Sequence, residues 1–314
     1  MSTNAAFATA AIPIRKDKDR GHHIRLGIAY VVAISMILAL AIYGANYYTL
    51  SAADRPFSPK HAVLRPSGAI GLKLGFLGFG MFLLIFLYPL RKRWAWLGRQ
   101  GSAKRWLDFH VLLGLAAPFV IAFHSSFKFR GFAGMAFWIM LAVSISGIIG
   151  RYLYAQIPRS LSAAEISRKE LQDKQDALSV QLRQQRLLPE SDLRSLLKLP
   201  SAERVASLPM IAALTYMMAL DVSRAFRVAR LRRRALTMGE TLSAFGGLLR
   251  TRHTELENAI AVAREEAATA KRIVFLARAQ QVFHLWHVVH KPFSYSFAVL
   301  ALTHIGVVVA MGYF

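Results

Sequence analysis

Two pairs of equally spaced histidines are the residues of this chain best suited to chemistry. Thirteen residues separate His110 from His124, and thirteen separate His290 from His304. Each pair lies in or beside an apolar stretch. A step of fourteen residues is nearly four turns of an α-helix, or about 21 Å of rise. Both histidines of a pair therefore share one face of their helix.

Two such helices, side by side and parallel, can bind two porphyrin irons. We predict that His110 pairs with His290 at the inner level and His124 with His304 at the outer level, each pair supplying both axial ligands of one haem iron. The alternative for any single histidine in an apolar helix is a hydrogen bond to a neighbouring helix or a place in a polar cavity. Two equal spacings favour ligation over packing.

Other histidines near the last apolar segment leave an alternative open. His287 competes with His290 as the inner ligand, because the seventeen-residue step to His304 also nearly restores the helix face. His284 and His287 otherwise suit a proton relay or contact with a quinone headgroup, or they have structural roles. The remaining histidines are expected at the surface: His22, His23, His61 and His253.

The composition indicates an integral membrane protein. Hydrophobic residues make up 55% of the 314 residues and charged residues 18%, which is more apolar than an ordinary soluble domain of this size. The chain has no cysteine, which excludes disulfides, thiolate-bound iron–sulfur clusters and covalently attached haem. The net charge of +23 suits loops that face anionic lipid. Because basic residues flank the apolar runs, we expect no nucleic-acid partner.

Five apolar segments have, or approach, the length that crosses a bilayer. They cover residues 26–48, 70–90, 106–124, 132–149 and 292–313. The first is too long for a cleaved signal peptide and is read as an anchor. Basic residues concentrate before the first segment and between the second and third, so the positive-inside rule predicts a cytoplasmic N-terminus and an extracytoplasmic C-terminus. The third and fifth spans would then run parallel.

The chain divides by composition into four parts: a cytoplasmic arm (1–25), spans one to four (26–155), a basic cytoplasmic insertion (156–280) and span five (281–314). A helix over 163–187 is a candidate antiparallel partner for the later insertion. Residues 205–220 are read as a surface or buried helix, with a sixth span as the alternative. A row in the later insertion alternates steps of four and three: Leu256, Ile260, Ala263, Ala267, Ala270, Val274 and Ala277. We therefore predict an all-α integral membrane protein, a five-span bundle with a coiled-coil-like helical insertion between spans four and five.

The two histidine pairs resemble the diheme core shared by respiratory cytochrome b and the ferric reductase-like transmembrane domains. Three stretches also resemble a group of bacterial b-type membrane proteins: Trp106–His110, Gly150–Arg159 and His290–Phe293 with His304. The resemblance implies two bis-histidyl b haems at the positions given above, and a bacterial inner membrane as the location. It also implies electron transfer across the bilayer.

The source and the destination of the electrons are less specified. The sequence given ends at Phe314, directly after span five, and the insertion has no glycine-rich dinucleotide fingerprint. We therefore expect a quinol or a cytoplasmic donor, an extracytoplasmic acceptor and redox partner subunits. The alternatives are a self-contained membrane reductase of metal ions or small molecules, and a non-redox transporter or channel subunit. Apart from Asp108 at the entrance of the third span, the spans contain no Asp or Glu, which argues against the last alternative.

Cationic side chains near the ends of the spans are candidate contacts of haem propionates. At the inner level these are Arg105, Arg151 and Lys291, and at the outer level Lys128 and Arg130. The alternative is the ordinary role of such residues as anchors at the membrane interface.

Overall fold

The structure, a computed structural model, describes residues 20–157, 172–180, 190–235, 246–249, 251 and 253–312. These residues form helices and connecting turns, with no strand in the described ranges, which confirms the all-α prediction. The chain divides into two compact units. Unit 1 comprises Met1–Gly147 and Phe293–Phe314, and unit 2 comprises Ile148–Pro292.

The helices are numbered in chain order. The earlier ones are α1 (Arg20–Tyr48), α2 (His61–Leu64), α3 (Ala69–Arg91), α4 (Ala95–Gly98), α5 (Ala103–His124) and α6 (Gly131–Gln156), with a 3-10 turn at Arg55–Phe57. The later ones are α7 (172–180), α8 (Glu190–Leu197), α9 (Ala202–Ser207), α10 (Met210–Ala235) and α11 (Thr254–Ala310).

Five helical segments are long and apolar enough to cross a membrane, as predicted: α1, α2 with α3, α5, α6 and α11. Helix α11 has 57 residues, a length of about 85 Å, whereas the apolar core of a bilayer is about 30 Å thick. Its charged part precedes Pro292 and its apolar part follows. Pro292 to Ala310 is therefore the part of α11 that corresponds to the predicted fifth span.

Apolar side chains from four helices form the core of unit 1. Met81 of α3, Val120 of α5 and Met140 of α6 are buried together, and Phe297 of α11 packs against the same cluster. The rings of Phe297 and Phe82 meet edge to face at 5.8 Å. The apolar part of α11 thus belongs to the same bundle as α3, α5 and α6.

In unit 2, helix α10 packs antiparallel to α11. Met217 of α10 lies in one buried cluster with Phe275, and Val228 lies in another with Ile260. One face of residues 205–220 is therefore buried in the core of unit 2, which agrees with the buried-helix interpretation. Among the described residues, α10 is not one of the helices that are long and apolar enough to cross a membrane.

The buried row of α11 differs from the predicted one. Ala277 is exposed, so the prediction was wrong there. Ile260, Ala263 and Ala267 of the predicted row are buried, and a buried series continues from Ala267 in steps of four through Lys271, Phe275 and Ala279. Helix α11 contributes to two separate clusters rather than to one two-helix seam, so a period of 3.5 is not required.

The predicted partner helix over 163–187 lies mostly outside the described residues. Its described part, α7, does contact α11, since Lys174 Nζ lies 2.6 Å from Glu265 Oε1. The predicted arm, residues 1–25, is described only from Arg20 onward.

Candidate haem site

The side chain of His110 is fixed by the backbone of the preceding helix. Its Nδ1–H donates to the carbonyl oxygen of Ile85 in α3 at 3.0 Å. In a regular helix that carbonyl would accept from the amide of residue 89, but Pro89 has no N–H. The proline therefore leaves the carbonyl free for His110.

His124 is held in the same way one level along the bundle. Its Nδ1–H donates to the carbonyl oxygen of Gly71 at 2.8 Å. The imidazole lies directly against α3, because a β-carbon at Gly75 would be only 2.7 Å from Cε1 of His124. A glycine at position 75 is thus what allows the ring to approach the backbone.

The two contacts are matched in register. The fourteen-residue step from His110 to His124 along α5 is opposed by the fourteen-residue step from Ile85 back to Gly71 along the antiparallel α3. A carbonyl oxygen only accepts, so each Nδ1 carries the hydrogen and each Nε2 keeps its lone pair. A hydrogen bond from the second ring nitrogen to a carbonyl is the usual support of a metal-bound histidine.

The apolar part of α11 lies beside this ladder and runs in the direction of α5. The side chains of His304 and His124 lie near one another. Seven residues earlier, Phe297 contacts Phe82, which lies three residues from the carbonyl that binds His110. From Phe297 to His304, α11 therefore passes from the His110 level toward the His124 level.

Between the two levels, α5 leaves room at its surface. Gly114 follows His110 by one helical turn, and a β-carbon there would meet no atom within 4 Å. The carbonyl of Gly114 is released by Pro118, four residues later, and accepts from Ser144 Oγ–H at 2.7 Å. The two Nε2 nitrogens and the open space beside Gly114 fit a flat macrocycle.

The remaining histidines of α11 lie in unit 2. The rings of His290 and Trp286 stack with centroids 4.5 Å apart, and His287 contacts Trp286 edge to face at 4.9 Å. The indole occupies the space that Gly150 leaves open, since a β-carbon there would lie 2.2 Å from Trp286 Cζ2. His284 is exposed. The choice between His287 and His290 stays open, and so does the predicted pairing with His110.

The cationic candidates for propionate contacts are mostly exposed. Arg105, Lys128, Arg130 and Lys291 are exposed, and Arg151 is half-buried. No contact in the structure assigns any of them to a propionate, so these roles stay predictions.

One buried polar contact near His110 was not anticipated. His22 Nε2 lies 3.0 Å from Asp108 Oδ2, and the two side chains are only 14% and 3% exposed. The prediction that His22 lies at the surface was therefore wrong. His61 is half-buried, and its Nδ1 lies 3.2 Å from the hydroxyl of Tyr47. The carboxylate at the start of α5 was the one signal in the sequence for such a partner.

A buried arginine organises the turn that follows His124. Arg55 donates through Nε to the carbonyl of Leu50 at 3.2 Å, through Nη2 to Tyr48 at 2.9 Å, and through Nη1 to Ser126. The turn after α5 is thereby tied to the connection between α1 and α3. Arg55 looked like an ordinary loop cation in the sequence, because its acceptors are backbone carbonyls that no side-chain pattern reveals.

The chain has no match among protein-family models, curated proteins or solved structures. In the described residues, no group of three or more His, Cys, Asp or Glu side chains is close enough to hold a metal ion. A bis-histidyl iron needs only two such side chains.

Proposed function

We propose that this protein is a transmembrane electron carrier with two bis-histidyl b haems between α5 and α11. His124 and His304 would hold one iron, and His110 and His290 the other. The observation that carries the proposal is the matched pair of Nδ1 hydrogen bonds on α5, which leaves two Nε2 lone pairs four turns apart on one helix.

The protein's own contribution is to fix and tune the ligands. A carbonyl that accepts from Nδ1–H sets the tautomer, orients the ring and increases the basicity of Nε2. The apolar cluster around Met81, Val120 and Met140 excludes water, which keeps the surroundings of the site at low dielectric constant. The bound haem iron would supply the one-electron chemistry.

Because a span of about 21 Å separates the two levels, two irons would carry electrons across most of the apolar core. We propose a multi-pass protein of the bacterial inner membrane, with its N-terminus in the cytoplasm and its C-terminus outside. A quinol or a cytoplasmic donor would supply electrons, and an extracytoplasmic acceptor would receive them. The chain would act as one subunit of a larger redox complex.

The test is a reduced-minus-oxidised spectrum with haem quantitation on the purified full-length protein. We expect two haems b per chain in the wild type and one in each of His124→Ala and His304→Ala. The control is His284→Ala, an exposed histidine, which should retain both haems. A colourless wild type, or two haems in both ligand variants, would refute the proposal.

A further inference from the structure

An exposed patch lies at the end of unit 1 where His124 is found. It consists of Arg65 from the connection before α3 and of Phe127, Lys128 and Arg130 from the turn after α5. The three cations are exposed, and the ring of Phe127 is 41% exposed although the residue follows a largely apolar helix. We call these four residues the His124-end patch.

The patch is rigidly connected to the end of α5. The amide of Phe127 donates to the carbonyl of Ala122 at 2.9 Å, and the amide of Lys128 donates to Ser125 at 3.1 Å. Ser126 Oγ–H donates to the carbonyl of Leu64 at 2.8 Å. The connection that contains Arg65 and the turn that contains Phe127 are therefore joined by hydrogen bonds.

The backbone of this turn is in an unusual conformation. Ser126 and Phe127 have φ values of 49° and 59°, a backbone region that residues other than glycine rarely adopt. The buried guanidinium of Arg55 binds the Ser126 carbonyl and so holds the turn in place. Strained, over-determined backbone of this kind concentrates at functional sites, and here it presents an aromatic ring outward.

Aromatic contacts link the patch to the surroundings of His124. The rings of Phe127 and Phe123 meet edge to face at 5.2 Å, and both contact Tyr48, at 5.3 and 5.1 Å. Phe123 directly precedes His124 in the chain. The exposed ring of Phe127 is thus both the outermost member of an aromatic cluster and three residues from a proposed ligand.

The charge of this end is strongly positive. The segments 49–68 and 125–130 contain five cations, which are Arg55, Lys60, Arg65, Lys128 and Arg130. Their one carboxylate, Asp54, accepts a hydrogen bond from Ser51 Oγ at 2.6 Å. An electrostatic field of this sign attracts an anionic partner and increases its association rate.

We infer that the His124-end patch is the docking surface of an acidic, soluble redox protein that exchanges electrons with the haem on His124 and His304. The inference rests on the proposed function. A small anion would need only the cations, whereas an exposed aromatic residue among charged neighbours has the arrangement of a protein interface, with an apolar centre and a polar rim. A patch of four residues is compatible with the small interfaces of transient electron-transfer complexes.

The test measures how fast the reduced, haem-loaded protein in a non-ionic detergent is oxidised. The probes are an acidic blue-copper protein, a basic c-type cytochrome and ferricyanide, each at low and high ionic strength. For wild type we expect the acidic protein to react at least roughly tenfold faster at low than at high ionic strength. The basic cytochrome should show the opposite trend.

Variants assign the effect to the patch. Lys128→Gln with Arg130→Gln should slow the acidic protein by roughly tenfold at low ionic strength. Arg93→Gln with Arg99→Gln removes the same charge from exposed positions in the α3–α5 connection and should have little effect. Phe127→Ala should slow oxidation by the acidic protein but not oxidation by ferricyanide, because only a protein partner would pack against the apolar centre of the patch.

The outcomes separate the two proposals. Equal slowing by both double variants, or no slowing by either, would overturn the docking surface while leaving the haems in place. In a second outcome, the Lys128→Gln and Arg130→Gln changes slow oxidation by ferricyanide alone, and Phe127→Ala does not change the rate with the acidic protein. That outcome would assign the patch to small anions and overturn the proposal of a protein partner. A preparation without haem would instead refute the proposed function.

Discussion

Apart from the buried His22–Asp108 contact at the start of α5, the apolar helices of unit 1 satisfy their buried polar groups by other means than unit 2 does. In unit 1 the donors on α5 and α6, His110, His124 and Ser144, bind backbone carbonyls. Two of these carbonyls, those of Ile85 and Gly114, are released by prolines four residues later. Uncharged contacts of this kind are suited to an apolar environment, where an isolated ion is costly.

Unit 2 instead buries ions in pairs. Lys271 is 2% exposed, and its Nζ donates to Asp221 Oδ1 at 2.6 Å, while Tyr152 donates its hydroxyl to Asp221 Oδ2 at 2.7 Å. Nearer the start of α11, Arg232 donates through Nε and Nη2 to the two carboxylate oxygens of Glu257 at 2.8 and 2.7 Å.

The difference shows what each kind of contact can be used for. An ion pair stabilises a fold only while both partners are present, and removing one leaves a buried charge. A freed backbone carbonyl carries no net charge and belongs to the helix itself. It can therefore support a metal ligand within an apolar bundle at small electrostatic cost.

The largest expected effect comes from Gly75→Ala in unit 1. The new methyl would lie 2.7 Å from Cε1 of His124, so the ring must leave its place and the Gly71 contact is lost. We expect the variant to retain one haem of two by pyridine haemochrome quantitation. Gly80→Ala in the same helix is the control, since a β-carbon there meets no atom within 4 Å. Two haems in both variants would contradict the prediction.

The second effect is on unit 2. Asp221→Asn leaves Lys271 buried without an anion, which we expect to destabilise unit 2 by about 3 kcal/mol. Urea-dependent proteolysis would measure the loss, and the haem spectrum of the same sample should not change. Asp176→Asn removes an exposed carboxylate and should leave the resistance to proteolysis in urea unchanged. Equal loss in both variants would show that the Lys271 pair is not the cause.

A smaller effect is expected from Pro89→Ala. The new N–H competes with His110 for the Ile85 carbonyl and weakens a hydrogen bond worth roughly 0.5–1.5 kcal/mol. A less basic ligand stabilises ferric iron less, so one haem potential should rise by roughly 20–60 mV. Redox titration measures the shift. Pro118→Ala is the control, because the Gly114 carbonyl that Pro118 frees binds Ser144 and not a histidine. An equal shift of the potential in this variant would contradict the explanation.

The smallest effect is the pH dependence of unit 2. Burial acts to raise the pKa of Glu257, but hydrogen bonds from Arg232 and Thr251 outweigh it and lower the pKa. The carboxylate therefore stabilises unit 2 above its ordinary pKa, and this stability is lost as the pH falls through the lowered value. Thermal unfolding between neutral and acidic pH measures the slope, which Glu257→Gln should reduce. An unchanged slope in the variant would exclude Glu257 as the source.

The spans were predictable because apolar length is a local property of the sequence. The direction of α11 relative to α5 followed from counting spans and loop charges. The contact of Phe297 with Phe82 and the nearness of His304 to His124 agree with it. The fourteen-residue steps identified the candidate ligands, but the sequence contains no direct sign of what holds them.

The supporting contacts were not predicted, for two physical reasons. Pro89 does indicate a free carbonyl at Ile85, but only the packing of α3 on α5 determines that His110 takes it. The ion pair of Lys271 with Asp221 joins residues fifty positions apart, and a lysine inside an otherwise apolar row looks like a solvated interruption. Tertiary pairing of this kind leaves no periodic signal.

The carbonyl that Pro89 leaves to His110 has a consequence for the conditions under which the protein works. Its hydrogen-bonding capacity comes from the covalent structure of a proline, which neither titrates nor exchanges ions with the surroundings. The hydrogen-bond acceptor of that imidazole should therefore stay the same in acidic and alkaline media and in dilute and concentrated salt. A carboxylate in the same position would make the ligand follow the composition of the medium.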